Sequence, residues 1–315
     1  MDNIILAFSV VFPLMFMMAV GYSLRIIKIT DEHSLNVMNK LVFRVFLPVL
    51  LFLNIYSLEP GEAFIIENVR LLIFTALIVL TSAFLMHLIF PHLVKDKRKC
   101  SVMIQGIFRS NLILFGIPIA ASIYGEDRIG KVSMLAAFIV PLFNILSVII
   151  LEYYRSGVVE HRKIIINLIK NPLIIASLAA FLFLLLPIRL PRLLLSPLES
   201  MSKVATPLAF IVLGGTFKFK RIYTNLSYLF AAVLGRLIFF PGIIFSLALL
   251  SGFREEALVA LIGAAASPTA VSSFSMAMEM DADEELAGQI VVFTSILSIA
   301  TIFLWVLLLI TMKVI

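Results

Sequence analysis

Asn111-Leu-Ile-Leu-Phe-Gly116-Ile117-Pro118, continuing apolar to Tyr124-Gly125, and Gly263-Ala-Ala-Ala-Ser267-Pro268-Thr269, continuing to Met278, are two hydrophobic stretches with a shared fault. Each puts a proline where a membrane-spanning helix should run unbroken. Proline has no N–H and clashes with the carbonyl four residues back, so each helix is expected to break near mid-bilayer. A break at that depth is tolerated only where protein or water satisfies the freed backbone groups. Paired Pro/Gly-interrupted spans in matching halves point to a transporter's binding site.

The rest of the chain supports a membrane setting. Its 315 residues are 62% hydrophobic and only 14% charged, with a mean hydropathy of +1.11. A soluble core needs far less apolar sequence, so the excess faces lipid. The net charge of +6 does not signal nucleic acid: the Lys and Arg lie between apolar runs, where topology accounts for them. The single Cys100 excludes an internal disulfide and a multi-cysteine metal site. The run Ile4–Leu24 lacks a basic n-region and is long enough to span, so it is expected as a retained first helix.

Ten spans can be read, near 4–24, 37–57, 69–91, 101–125, 130–152, 171–188, 201–217, 222–250, 256–279 and 285–311. The connections are short, and the longest, near 153–170, is amphipathic and basic. With the N-terminus outside, Lys and Arg favour the cytoplasmic loops about two to one. The acidic run Asp281, Asp283, Glu284 and Glu285 dissents, although acids count little in this rule. Both termini are therefore expected outside the cytoplasm, in the cell's inner membrane. Pro48 and Pro207 recur in spans two and seven, and Pro118 and Pro268 in spans four and nine. Five spans per half is an odd number, so the halves 1–155 and 156–315 enter from opposite sides as inverted repeats.

That orientation gives the breaks a chemistry. The second half-helices, expected to begin near Pro118 and Pro268, point their N-termini at the midplane from opposite directions. Each N-terminus carries roughly half a positive charge and several unpaired N–H groups. Two facing each other make an anion site without any cationic side chain. Gly116, Ile117 and Pro118 form one wall, and Ser267, Pro268, Thr269, Ser272 and Ser273 the other. Asn111, about two turns before Pro118, reaches the same space, although alone it reads as glue between helices. A single proline in a span is ordinarily a kink, and Pro13 and Pro241 read that way.

Two basic residues fall within spans, and intramembrane charge is costly. Arg109 is shallow enough to snorkel to the cytoplasmic surface, and otherwise holds the anion or makes a structural bond. Arg236 is too deep for that; it either helps to hold the anion or bonds backbone carbonyls. No Asp or Glu lies at mid-depth, which argues against a cation antiporter. His87, near the cytoplasmic end of span three, reads as interfacial rather than as a proton relay.

At these residues the chain resembles the auxin efflux carrier family, which includes plant auxin exporters and bacterial permeases linked to malate or malonate. Asn111…Gly116-Ile117-Pro118…Tyr124-Gly125 is similar to that family's fourth-helix motif in order and spacing. Ser267-Pro268…Ala277-Met278-Glu279 followed by Glu284-Glu285-Leu286-Ala287 is similar to its ninth-helix region, and Thr206-Pro207-Leu208…Leu213-Gly214-Gly215 to its seventh. The long cytoplasmic loop of many plant members is absent, so the chain resembles a compact bacterial-type member. The resemblance implies ten helices, with the fourth and ninth crossing at their prolines. It implies a dimerising scaffold (helices 1, 2, 6 and 7) and a transport domain (helices 3–5 and 8–10) that moves as an elevator. It also implies a substrate carboxylate near Asn111.

The reading is an all-α membrane protein, a homodimeric secondary carrier of small organic anions, needing no cofactor or metal. A ligand-binding receptor of transporter fold is the alternative. A polyprenyl transferase is disfavoured: Asp281-Ala-Asp283-Glu284-Glu285 offers one acidic cluster, and gripping a diphosphate through metal takes two.

Overall fold

The computed structural model describes residues 2–58, 66–125, 128–155, 161–186 and 188–315. The expected boundary between halves, 155/156, borders residues outside that set. Every regular element among the described residues is helical, apart from one isolated bridge.

The helices are α1 (Asp2–Ile26), α2 (Glu32–Tyr56), α3 (Ile66–Leu93), α4 (Lys97–Phe108), α5 (Leu112–Tyr124) and α6 (Gly130–Arg155). After them come α7 (His161–Lys170), α8 (Pro172–Leu185), α9 (Arg192–Thr216) and α10 (Ile222–Leu250). The chain closes with α11 (Glu255–Ala265), α12 (Ser272–Glu279) and α13 (Glu284–Thr311). Six of these, α1, α2, α3, α6, α10 and α13, are long and apolar enough to cross a bilayer. Their outward faces carry exposed side chains such as Leu85, Ile89, Phe239 and Ile243, which only lipid covers without penalty.

Local chemistry sets several ends. Asp31 accepts from the Ser34 backbone N–H while Ser34 Oγ accepts from the Asp31 N–H, a capping box that starts α2 five residues before the apolar run. α9 likewise starts early, at Arg192 behind the extended Pro191, so its charged first turns precede the expected span of 201–217.

Prolines are absorbed rather than avoided. Three π-turns, Val42–Phe46, Leu112–Gly116 and Gly235–Phe239, each end two residues before a proline: Pro48, Pro118 and Pro241. The wider turn takes up the lost hydrogen bond and the ring clash. Pro241 cannot donate to the Leu237 carbonyl, and the Trp305 indole N–H of α13 does so instead at 3.0 Å. Pro241 is thus more than the simple kink its sequence context indicates.

Packing divides the helices. α1 lies most heavily on α9, and α2 on α8 and α9. The α1–α9 contact is backbone on backbone: a Cβ on Gly21 would overlap the Ile211 carbonyl, and one on Gly214 the Met18 carbonyl. The other helices pack mainly among themselves, α4 and α3 on α6, α11 on α5 and α6, and α10 and α12 on α13.

The acidic run that dissented from the charge count is explained by its partners. Asp281 pairs with Arg155 and Glu285 with both Lys218 (3.1 Å) and Arg221 (3.2 Å), and Glu279, just before the run, pairs with Arg44. The acids therefore sit among the basic residues at one end of the bundle and neutralise them. The other end has its own pairs, from Glu256 to Lys131 (3.3 Å) and Arg128 (3.7 Å).

Candidate functional site

The two interruptions meet. α4 stops at Phe108, and Arg109 turns extended (φ −88, ψ 114). Ser110 then forms an antiparallel bridge with Thr269, and the Asn111 N–H donates to the Pro268 carbonyl at 2.8 Å. The Thr269 hydroxyl donates to the Gly106 carbonyl near the end of α4 (2.6 Å), and its N–H to Thr294 Oγ1 of α13 (3.2 Å). Backbone groups freed by each break are thus satisfied by the other break or by α13, as a break inside a bilayer requires. Gly116 and Gly263 let the chains touch: a Cβ on Gly263 would stand 2.6 Å from Gly116 Cα, and one on Gly116 2.9 Å from Gly263 Cα.

The first break does not fall where the proline stands. Helix resumes at Leu112, as a π-turn, and Pro118 lies in the first turn of the α-helical part that follows. Proline fits there because its missing N–H is an orphan anyway. The expected start near Pro118 is therefore corrected to Leu112. In the second break the chain is non-helical around Pro268, and α12 starts at Ser272.

Two buried arginines flank the crossing. Arg236, 0% exposed, donates to three carbonyls: Nε to Ser267 (2.8 Å), Nη1 to Ile107 (2.9 Å) and Nη2 to Ala264 (3.3 Å). Ile107 and Ala264 lie in the last turns of α4 and α11, whose ends carry partial negative charge. Ala264 is also one of the last carbonyls of α11, left without an intrahelical donor by the helix end, and Arg236 supplies one. Its guanidinium is taken up by backbone and stacks over Phe240, 5.1 Å from the ring centre.

Arg109 is 2% exposed and does not snorkel. The extended backbone at the end of α4 turns its guanidinium inward, to Ser272 Oγ (2.7 Å), Asn144 Oδ1 of α6 and Met276 Sδ. All three partners are neutral.

The other sequence candidates divide. The crossing joins Asn111, Ser267, Pro268 and Thr269 directly. The hydroxyls of Ser267 and Ser273 are buried without a partner, and Ser272 is half-buried at the start of α12. The Asn111 side chain is half-buried and makes no hydrogen bond among the described residues. Ile117 and Pro118 are half-buried further along α5. Sequence reasoning missed Gln105, Asn144 and Ser147, all buried and each with an unpartnered polar atom. Gln105 precedes Arg109 by one helical turn, a spacing that places both on one face and so carried a signal. Two apolar cavities lie elsewhere: one of about 670 Å³ between α3 and α10, and one of about 270 Å³ among α1, α9 and α13.

A helical bundle with apolar outer faces and a polar, backbone-linked crossing of two broken helices at its centre defines a membrane transporter. The profile of the membrane transport protein family matches residues 6–163 and 156–306, and the chain belongs to that family, the auxin efflux carriers that its motifs resemble. It is similar to an uncharacterized transporter of Methanocaldococcus jannaschii, 23% identical over 304 residues, 94% of this chain and 97% of the relative. It is also similar to one of Methanothermobacter thermautotrophicus, 23% identical over 298 residues, 94% of this chain and 96% of the relative. The protein is a multi-pass membrane transporter and not an enzyme.

Proposed function

We propose that this transporter carries small organic anions across the cell's inner membrane, by moving a site at the crossing of α4/α5 with α11/α12. The observation that carries the reading is the crossing itself. Two helices restart beside it, at Leu112 and Ser272, and their positive ends favour an anion, although at α12 the Ser273 and Phe274 N–H groups already meet the Ala270 and Val271 carbonyls. No Asp or Glu side chain belongs to the crossing, so a cation finds no carboxylate there. The substrate carboxylate is assigned to the unpartnered Asn111 side chain and the span-nine serines.

Ten spans follow if α4/α5 and α11/α12 each count as one broken span, with 1–155 and 156–315 as inverted repeats and both termini outside. The packing supports a scaffold of α1, α2, α8 and α9, and the family resemblance assigns to it the contact with a second copy. The remaining spans form the moving body of an elevator. The Ser110–Thr269 bridge links the two breaks and so supports assigning both to that body, with the site travelling whole.

The test is uptake of radiolabelled mono- and dicarboxylates into proteoliposomes. Saturable, carboxylate-competed uptake is expected, reduced at least tenfold in Asn111→Ala and in Pro268→Ala. Wild-type uptake in both variants would sink the site assignment. Binding without counterflow would make the protein a receptor.

A further inference from the structure

We infer that Arg109, Asn144 and Ser272 form an anion subsite at the start of α12, which shares with Asn111 and the other span-nine serines the carboxylate group of the transported anion. The inference rests on the carrier reading above and adds where the negative charge is held.

The two buried arginines make the argument by contrast. A buried cation is stable only when charge or oriented dipoles compensate it. Arg236 is compensated: its three acceptors are backbone carbonyls, two of them at the negative ends of α4 and α11. Arg109 has a serine hydroxyl, an amide oxygen and a thioether. None carries charge, and the ion pairs among the described residues do not include it. Its position is also of the wrong sign. Ser272 is the first residue of α12, so the guanidinium lies against the positive end of a helix. An anion placed there satisfies both the cation and the helix end.

The neighbouring polar atoms specify the kind of anion. Asn144, 1% exposed, accepts from Arg109 through Oδ1, while its Nδ2 has no acceptor. Ser147 Oγ, one turn further along α6, and Ser273 Oγ, next to Ser272, are also buried and unpartnered. Asn144 Nδ2 and the guanidinium can only donate, and the unpartnered Gln105 Oε1 near Ser273 is a neutral amide acceptor, so what the guanidinium lacks is a negatively charged acceptor. A carboxylate accepts through two oxygens and meets a guanidinium and an amide N–H together. Half-buried Ser272 is the exposed member of the group.

Asn144→Asp tests this without enlarging or emptying the site, because it puts a carboxylate oxygen where Nδ2 stands. The subsite then holds its own counter-ion. Thermal stability of purified protein would be measured in sodium formate, sodium succinate and sodium chloride at equal ionic strength. Wild type should be stabilised by the carboxylates beyond chloride. Asn144→Asp should melt higher than unliganded wild type and lose that response. Arg109→Gln should weaken carboxylate binding roughly 100-fold, and Arg109→Lys, which keeps the charge but not the fork, by about tenfold. A merely structural arginine would not make Asn144→Asp both more stable and unresponsive.

The inference is overturned if Asn144→Asp retains wild-type affinity for succinate, or if wild type responds to chloride as strongly as to carboxylates. Proteoliposome uptake by wild type separates the two claims. Arg109-dependent carboxylate binding without uptake would remove the carrier reading and leave the subsite. Uptake with Arg109-independent binding would do the reverse.

Discussion

Gly214→Val is expected to give no folded protein, and Gly21→Val the same. These two glycines sit on α9 and α1 where the helices touch through backbone. In a bilayer, close approach of this kind drives helix association, since lipid removes the usual hydrophobic force between helices. Ordinary overpacking costs roughly 1–3 kcal/mol because side chains shift to make room. Here the clashing atoms are the carbonyls of Met18 and Ile211, which cannot shift without moving a whole helix. The neighbouring Gly215 provides the control. A Cβ there would meet the end of the buried Leu35 side chain, 2.7 Å away, and the nearest backbone atom, the Gly21 carbonyl oxygen, only at 3.3 Å. Gly215→Ala should therefore melt well above Gly214→Ala. Size-exclusion profiles of detergent-solubilised protein, followed by thermal melts, would decide this. A monodisperse Gly214→Val protein with a wild-type melting temperature would refute the packing argument.

Arg236→Met is expected to be the most damaging change at the crossing itself. Methionine fills much of the volume but leaves the carbonyls of Ile107, Ala264 and Ser267 without donors. Each buried orphan costs roughly 1–3 kcal/mol, so the loss is about 3 kcal/mol at the least. Arg236→Lys should recover only part of it, because one ammonium cannot reproduce the planar fork that meets three carbonyls. The expected result is a sharply lowered melting temperature for methionine, an intermediate one for lysine, and no uptake with methionine. Equal melting temperatures for wild type and Arg236→Met would mean that the carbonyls are satisfied by another route.

The sequence was most legible where composition and proline act together. Apolar runs located the helices, and the two interrupted runs located the crossing. Three things were not legible. Pro118 marked the right span but the wrong break, because a π-turn carries the helix past it while the chain parts at Ser110. Arg109 was read as shallow from its distance to Lys99, whereas the extended backbone at the end of α4 decides where its side chain goes. The acidic run Asp281–Glu285 looks anomalous in a count of loop charges, and only tertiary contact shows that Asp281 meets Arg155 and Glu285 meets Lys218 and Arg221. Asn144 went unnoticed because one amide in an apolar span has no periodicity to betray it.

The prolines have a mechanical consequence. Inside an ordinary helix the carbonyl of each residue is held by its own chain, and neighbouring helices can slide past without breaking anything. At Pro241, and at the end of α11, that private bond is gone, and a side chain of another helix has taken it over: Trp305 holds the α10 carbonyl, and Arg236 of α10 holds that of α11. α10, α11 and α13 are thereby cross-linked beside the crossing. In the proposed elevator these bonds would survive only if the three helices moved together, with slippage left to the surfaces that face α1, α2, α8 and α9.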